Sequence, residues 1–125
     1  MADSDSILSA AHIKYLIVIN ELDYNETGIR CVNVADTLHI TKPSVHAMMN
    51  TLKKMELIEK DRYGMACLTE QGRAFAERYS RYYKTVCMYF DKILPKDVDL
   101  KTVACALLAE IPIDGLEVMC KRISG

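Results

Sequence analysis

Residues 34–68 read VADTLHITKPSVHAMMNTLKKMELIEKDRYGMACL, and the spacing of their apolar residues decides the fold. Val34, Ala35 and Leu38 form one face of a short helix. His39-Ile40-Thr41 interrupts the pattern, and Val45, Met48, Met49 and Leu52 resume it at helical spacing. Thr41 is placed to cap the second helix, and Pro43 is tolerated only inside a first turn, so the two residues together predict where that helix begins. Leu57-Ile58-Glu59-Lys60, Asp61-Arg62-Tyr63-Gly64 and Met65-Ala66-Cys67-Leu68 then read as strand, turn and strand, with Gly64 able to supply a positive φ. Helix, tight turn, helix and a two-stranded ribbon are the parts of a winged helix-turn-helix, and the expected fold class is mainly α with a small β-wing.

The polar face of the second helix carries Lys42, Ser44, His46, Ala47, Asn50 and Lys53. A groove-reading helix presents such a face to the major groove, with its N-terminal residues nearest the base edges. The candidate DNA-binding residues are therefore Thr41, Lys42, Pro43, Ser44, His46, Ala47, Asn50 and Lys53, with Lys60 and Arg62 of the wing. Thr41, Ser44, His46 and Asn50 suit base-edge or nearby contacts, whereas Lys42, Lys53, Lys60 and Arg62 suit phosphate. Ala47 is short for base readout, which leaves part of any specificity to DNA shape. A winged helix that docks a protein without touching DNA is the alternative from another class.

Working outward, residues 1–7 are polar and expected to fray, while Leu8, Ala11, Tyr15, Val18, Ile19 and Leu22 predict a first helix with one apolar stripe. Asp23 to Gly28 is a polar loop, and Gly28 is a turn residue returning the chain to the next helix. After the wing, Thr69 can cap a long helix whose apolar series Phe75, Tyr79, Tyr82, Val86, Tyr89 or Phe90, and Ile93 runs until Pro95. At ~1.5 Å per residue that helix would span roughly 38 Å, more than a small reading core needs. A helix over 97–110 and a last short one marked by Ile113, Leu116, Met119 and Ile123 follow. The expected division is a winged helix-turn-helix DNA-binding domain over 1–72 and a long linking helix with a helical dimerisation domain over 73–125. Helices this few and this apolar point to a second copy as partner, giving a two-fold homodimer.

Net charge is −1 over 125 residues, but it is unevenly distributed. Residues 1–40 carry −4, residues 41–84 carry +4 from nine basic and five acidic groups, and residues 85–125 carry −1. The local excess lies on the reading helix, wing and following helix, where phosphate contact would need it. Five cysteines, Cys31, Cys67, Cys87, Cys105 and Cys120, are scattered without a CxxC, which suits reduced thiols. The longest apolar run near the start, Tyr15 to Ile19, is too short to span a bilayer, and nothing ahead of it reads as a signal peptide. A cytoplasmic protein with no membrane partner is expected. No phosphate-binding glycine loop, nucleophile elbow or HExxH string is present, so an enzyme is not expected.

Several strings taken in order resemble the diphtheria-toxin-repressor and manganese-transport-regulator (DtxR/MntR-like) family of metal-dependent repressors. They are the Tyr15–Leu22 helix, Val34-Ala35 with Leu38, Thr41-Lys42-Pro43-Ser44-Val45, Leu57-Ile58, and Leu68-Thr69-Glu70-Gln71-Gly72 leaving the wing. The likeness covers roughly residues 8–123 and corresponds to the short form without an SH3-like domain. It implies a dimeric repressor on a palindromic operator. It also implies divalent metal, but the positions that hold metal in the family fall here on Lys14, Ile17, Tyr83, Cys105, Leu108 and Ala109. Hard or borderline ions need carboxylate and imidazole, and this set offers one thiol among apolar groups and an ammonium. No cofactor is therefore expected. Cys87 and Cys105 are candidate redox residues, and Tyr79, Tyr82, Tyr83 and Tyr89 candidate pocket residues, for a reading closer to the multiple-antibiotic-resistance regulators (MarR-like), in which thiol oxidation or a small molecule is the effector.

Overall fold

Tyr15, Leu16, Ile17, Val18 and Ile19 are buried in unbroken succession, so the middle of the helix that carries them is covered on every side. In the computed structural model, which describes residues 8–23, 27–61 and 64–125, this helix is α1 (Ala10–Leu22). The expected single stripe is thereby corrected: Ile13, Leu16 and Ile17 are buried and Ala11 is exposed. Ser9 and His12 close its start reciprocally, the Ser9 N–H donating to His12 Nδ1 at 3.1 Å and the His12 N–H to Ser9 Oγ at 3.1 Å. Histidine here takes the place of the usual acid of a capping box.

The chain divides into two compact units, one over 15–77 and one combining residues through Lys14 with 78–125. In the first, β1 (Ile29–Arg30) leads into α2 (Cys31–Leu38), α3 (Lys42–Lys54), β2 (Ile58–Lys60) and β3 (Met65–Leu68). The ribbon expected to have two strands has three, in the order β1-β3-β2, all antiparallel. Ile29 pairs with Ala66 and Arg30 with Met65, while Ile58, Glu59 and Lys60 pair with Leu68, Cys67 and Ala66. A two-residue strand is too short to show alternation in sequence. It is set up by Gly28, whose φ of 98° turns the chain and whose missing Cβ would lie 3.3 Å from the Ala66 carbonyl oxygen. Buried Asp23 fixes the same turn by accepting the Gly28 N–H at 2.9 Å.

Helix ends follow the expected chemistry. The Thr41 hydroxyl oxygen accepts the Ser44 N–H at 3.3 Å, with Pro43 in the first turn of α3. At its far end Glu56 takes a left-handed φ of 63°, its N–H bonding the Lys53 carbonyl at 2.9 Å and that of Leu57 the Leu52 carbonyl at 3.0 Å. This is a Schellman closure with a glutamate where glycine is usual. Gly64 takes the positive φ anticipated for the hairpin, at 84°.

In the second unit α4 begins at Glu70 in the first unit and runs to Phe90, followed by α5 (Leu100–Glu110) and α6 (Ile113–Ser124). The long helix therefore stops short of the expected end near Pro95. Its last turns tighten, the Lys92 and Ile93 N–H groups bonding Tyr89 and Phe90 carbonyls three residues back, and the residue before a proline resists the helical conformation. Twenty-one residues give ~31 Å rather than ~38 Å. Likewise α5 begins at Leu100 rather than Asp97, where Asp99 Oδ2 accepts the Thr102 hydroxyl at 2.6 Å. Buried Tyr79, Tyr82, Val86, Ala104, Cys105, Leu108 and Leu116 fill this unit.

One close approach holds the wing to α4. A Cβ on Gly72 would stand 1.8 Å from the Leu57 carbonyl oxygen, so only glycine fits where the helix meets that backbone. Helix propensity by itself makes Gly→Ala favourable by up to about 1 kcal/mol. The contact reverses the sign: Gly72→Ala should destabilise by at least about 1–3 kcal/mol, the usual cost of overpacking. Urea unfolding checks this, and a raised midpoint would contradict it.

Candidate nucleic-acid interface

The face of α3 turned away from the core is built by the same periodicity that buries Val45, Met49 and Leu52. Thr41, Lys42, Pro43, Ser44, His46, Ala47, Asn50 and Lys53 are all exposed along it. Thr41 is committed to the cap, and its hydroxyl donates to Ser44 Oγ at 3.0 Å, which leaves the Ser44 proton to donate outward. Thr51 and Lys54 are exposed on the same helix and were not singled out by the sequence pattern. They follow Ala47 at four and seven residues, and extending that row would have found them; the Thr51 hydroxyl donates back to the Ala47 carbonyl at 3.2 Å.

The wing reaches this face through Lys60, whose Nζ lies 3.3 Å from His46 Nδ1. Lys60 pairs with Ala66 in the register of the sheet, on the side that packs toward α3. Arg62, the other wing candidate, and Tyr63 fall outside the described residues, as do residues 1–7 and 24–26. A groove of about 910 Å³ beside the wing is lined by Glu56, Glu59, Asp61 and Glu70 together with Lys53 and Lys60. Its four carboxylates disfavour phosphate inside it, so the exposed face of α3 is the surface suited to a polyanion.

The positions that hold metal in the resembling family carry side chains of another chemistry here. Ile17 and Leu108 are buried hydrocarbon, 2% and 1% exposed. Burial pushes the Cys105 thiol up to about 11, against the pull of the Lys14 and Lys101 ammonium groups. Cys87 is raised as well, by burial, with Tyr83 and Lys101 working the other way. Asp91 and Asp99 act on the two thiols from nearby, and at the family positions themselves a thiol, an ammonium and hydrocarbon are a poor donor set for iron or manganese. Among the described residues no three His, Cys, Asp or Glu side chains come together as a metal-holding group. Raised thiols also carry little thiolate at neutral pH, the reactive form in oxidation. The tyrosines are used inside the helical unit: Tyr79 and Tyr82 meet edge to face at 6.0 Å, and Tyr82 accepts from Arg78 Nε at 2.9 Å while donating to Glu117 at 2.8 Å. Burial is the main reason its phenol is raised. Tyr89 is 44% exposed and packs edge to face on Phe90.

The geometry thus defines a winged helix-turn-helix followed by a helical region, with α3 exposing a polar and basic face. No protein-family model and no curated protein matches the sequence. Solved structures do match in fold. The manganese regulator SloR superposes with a TM-score of 0.69 at 20% identity, covering 87% of this chain and 53% of SloR. IdeR of T. acidophilum gives 0.66 at 19% identity, over 90% of this chain and 54% of IdeR. The hypothetical protein SSo2273 from Sulfolobus solfataricus gives 0.60 at 21% identity, over 92% of this chain and 91% of its own. The chain spans about half the length of the first two, and the likeness anticipated from the sequence holds at the level of the fold.

Proposed function

We propose that the protein is a DNA-binding transcriptional regulator, a homodimer that acts as a repressor on a palindromic operator without responding to iron or manganese. It is not an enzyme. The observation that carries this reading is the continuity of α3 and the wing: Lys60 of β2 reaches His46 of α3 at 3.3 Å, so helix and wing offer one surface to a duplex. Lys42, Lys53 and Lys54 are exposed on the same helix, and Ser44, His46 and Asn50 lie among them. The regulator named in the SloR structure supports the reading by fold, and the donor chemistry at Cys105, Leu108 and Ala109 argues against metal control.

In this reading the reading-helix lysines contact phosphate. Lys42→Ala with Lys53→Ala should weaken binding to every duplex alike and flatten the plot of log affinity against log salt by about two units of slope. Fluorescence anisotropy of a labelled random-sequence duplex measures both; an unchanged slope removes α3 from the interface.

The dimer would form through the helical unit. Among the described residues seven large apolar side chains are exposed, and five of them, Met88, Tyr89, Ile93, Val98 and Val118, belong to that unit. Exposed apolar area of this density is what a second copy would cover. Met88→Glu with Ile93→Glu should convert a dimer to a folded monomer in sedimentation equilibrium, with helical circular dichroism retained. A dimer that survives both charges places the interface elsewhere.

A further inference from the structure

Lys60 does more at the reading face than add positive charge. Its ammonium has three N–H donors and no lone pair, so the 3.3 Å contact to His46 Nδ1 is a hydrogen bond only if that ring nitrogen accepts. In a neutral imidazole the proton then sits on Nε2. We propose that Lys60 is a positioning residue for His46: it fixes the Nε2–H tautomer and the ring orientation, so that His46 meets the major groove as a hydrogen-bond donor. The proposal rests on the DNA-binding reading above and adds the chemistry of what is read.

The surroundings permit this arrangement. His46 is exposed on α3, with Lys42 one turn before it, Asn50 one turn after it and Lys53 a further turn on. Neither lysine can take the place of an acceptor, and α2, packed behind α3, presents buried Val34 and Ala35. On β2 the neighbour of Lys60 is Glu59, whose register partner is Cys67. Since Lys60 pairs with Ala66, the two side chains alternate to opposite faces of the sheet, and Lys60 is left to the α3 side. One ammonium proton is used on His46.

The consequence concerns bases. A donor in the major groove meets acceptors at guanine N7 and O6, adenine N7 and thymine O4, but meets another donor at the cytosine amine. His46 should therefore select against cytosine at the position it faces and favour guanine, which presents two adjacent acceptors. Without Lys60 the ring can flip and exchange tautomers, so Nε2 can also accept, and the discrimination falls even though the charge needed for general affinity is mostly retained by neighbouring lysines.

Two measurements test this on the full chain. Long-range proton–nitrogen NMR of nitrogen-15 histidine-labelled protein, at alkaline pH where imidazole is neutral, reads the tautomer directly, with His12 and His39 as internal comparisons. The wild type should hold His46 in the Nε2–H form, Lys60→Met should give a mixture, and Lys60→Arg, also donor-only, should restore it. Equal tautomer populations in the wild type and Lys60→Met would overturn the positioning role. Selection from a random-sequence duplex library should then enrich guanine over cytosine at one position per half-site, and Lys60→Met should lower that ratio by about tenfold, the order of one lost base contact. A ratio unchanged in Lys60→Met overturns the base preference. A wild type that enriches no sequence and binds no duplex overturns the DNA-binding reading instead, and the tautomer comparison still decides whether Lys60 positions His46.

Discussion

A helix can lie directly on another segment's backbone only where its own turn carries no side chain, and α4 meets Leu57 at Gly72 under that constraint. Thr69 completes the junction. Its N–H bonds the Leu57 carbonyl at 3.1 Å, its hydroxyl donates to the Glu56 carbonyl at 2.7 Å, and the same oxygen accepts the Gly72 N–H at 2.9 Å. One residue thus caps α4 and ties it to the turn that ends α3. The left-handed Glu56 and the Schellman closure set the direction in which β2 departs from α3. The position of the wing beside the reading helix follows from that departure, and so does the reach of Lys60 to His46.

The surface chemistry is gathered locally. Exposed lysines and a row of short polar side chains lie on α3, Lys60 of β2 reaches them at His46, and four carboxylates line the groove beside the wing. A duplex is a dense line of negative charge, so a protein of net charge −1 can engage it only through such a local separation. The helical unit keeps its ionisable groups in a different regime. Cys105 is held as a thiol by burial, and Tyr82 is held between Arg78 and Glu117. These are arrangements that pack helices: the one carboxylate among them, Glu117, is engaged by the Tyr82 hydroxyl, and no imidazole of the described residues stands beside it.

What could be read from the chain was what repeats or punctuates. The α2–α3 pair, the Thr41 and Thr69 caps, and the turns at Gly28 and Gly64 follow from periodicity and from residues with narrow conformational uses. The third strand was not legible, because two residues cannot display a period of two and Ile29-Arg30 pairs with Ala66 and Met65, far along the chain. The end of α4 was misplaced because apolar spacing continues through Ile93 after the backbone has already tightened toward Pro95. In the candidate interface the exposed residues of α3 were legible from its buried ones. The contact between His46 and Lys60 was not: it depends on the register of β2 against β3, a long-range property that no local pattern encodes.

The central claim is that this fold reads DNA without a metal switch. The most direct test is anisotropy titration of the labelled duplex at fixed salt in the presence of a chelator, repeated with manganese, ferrous iron and zinc. The account predicts the same affinity in every arm. Binding that is absent with the chelator and appears only when a metal is added would contradict it.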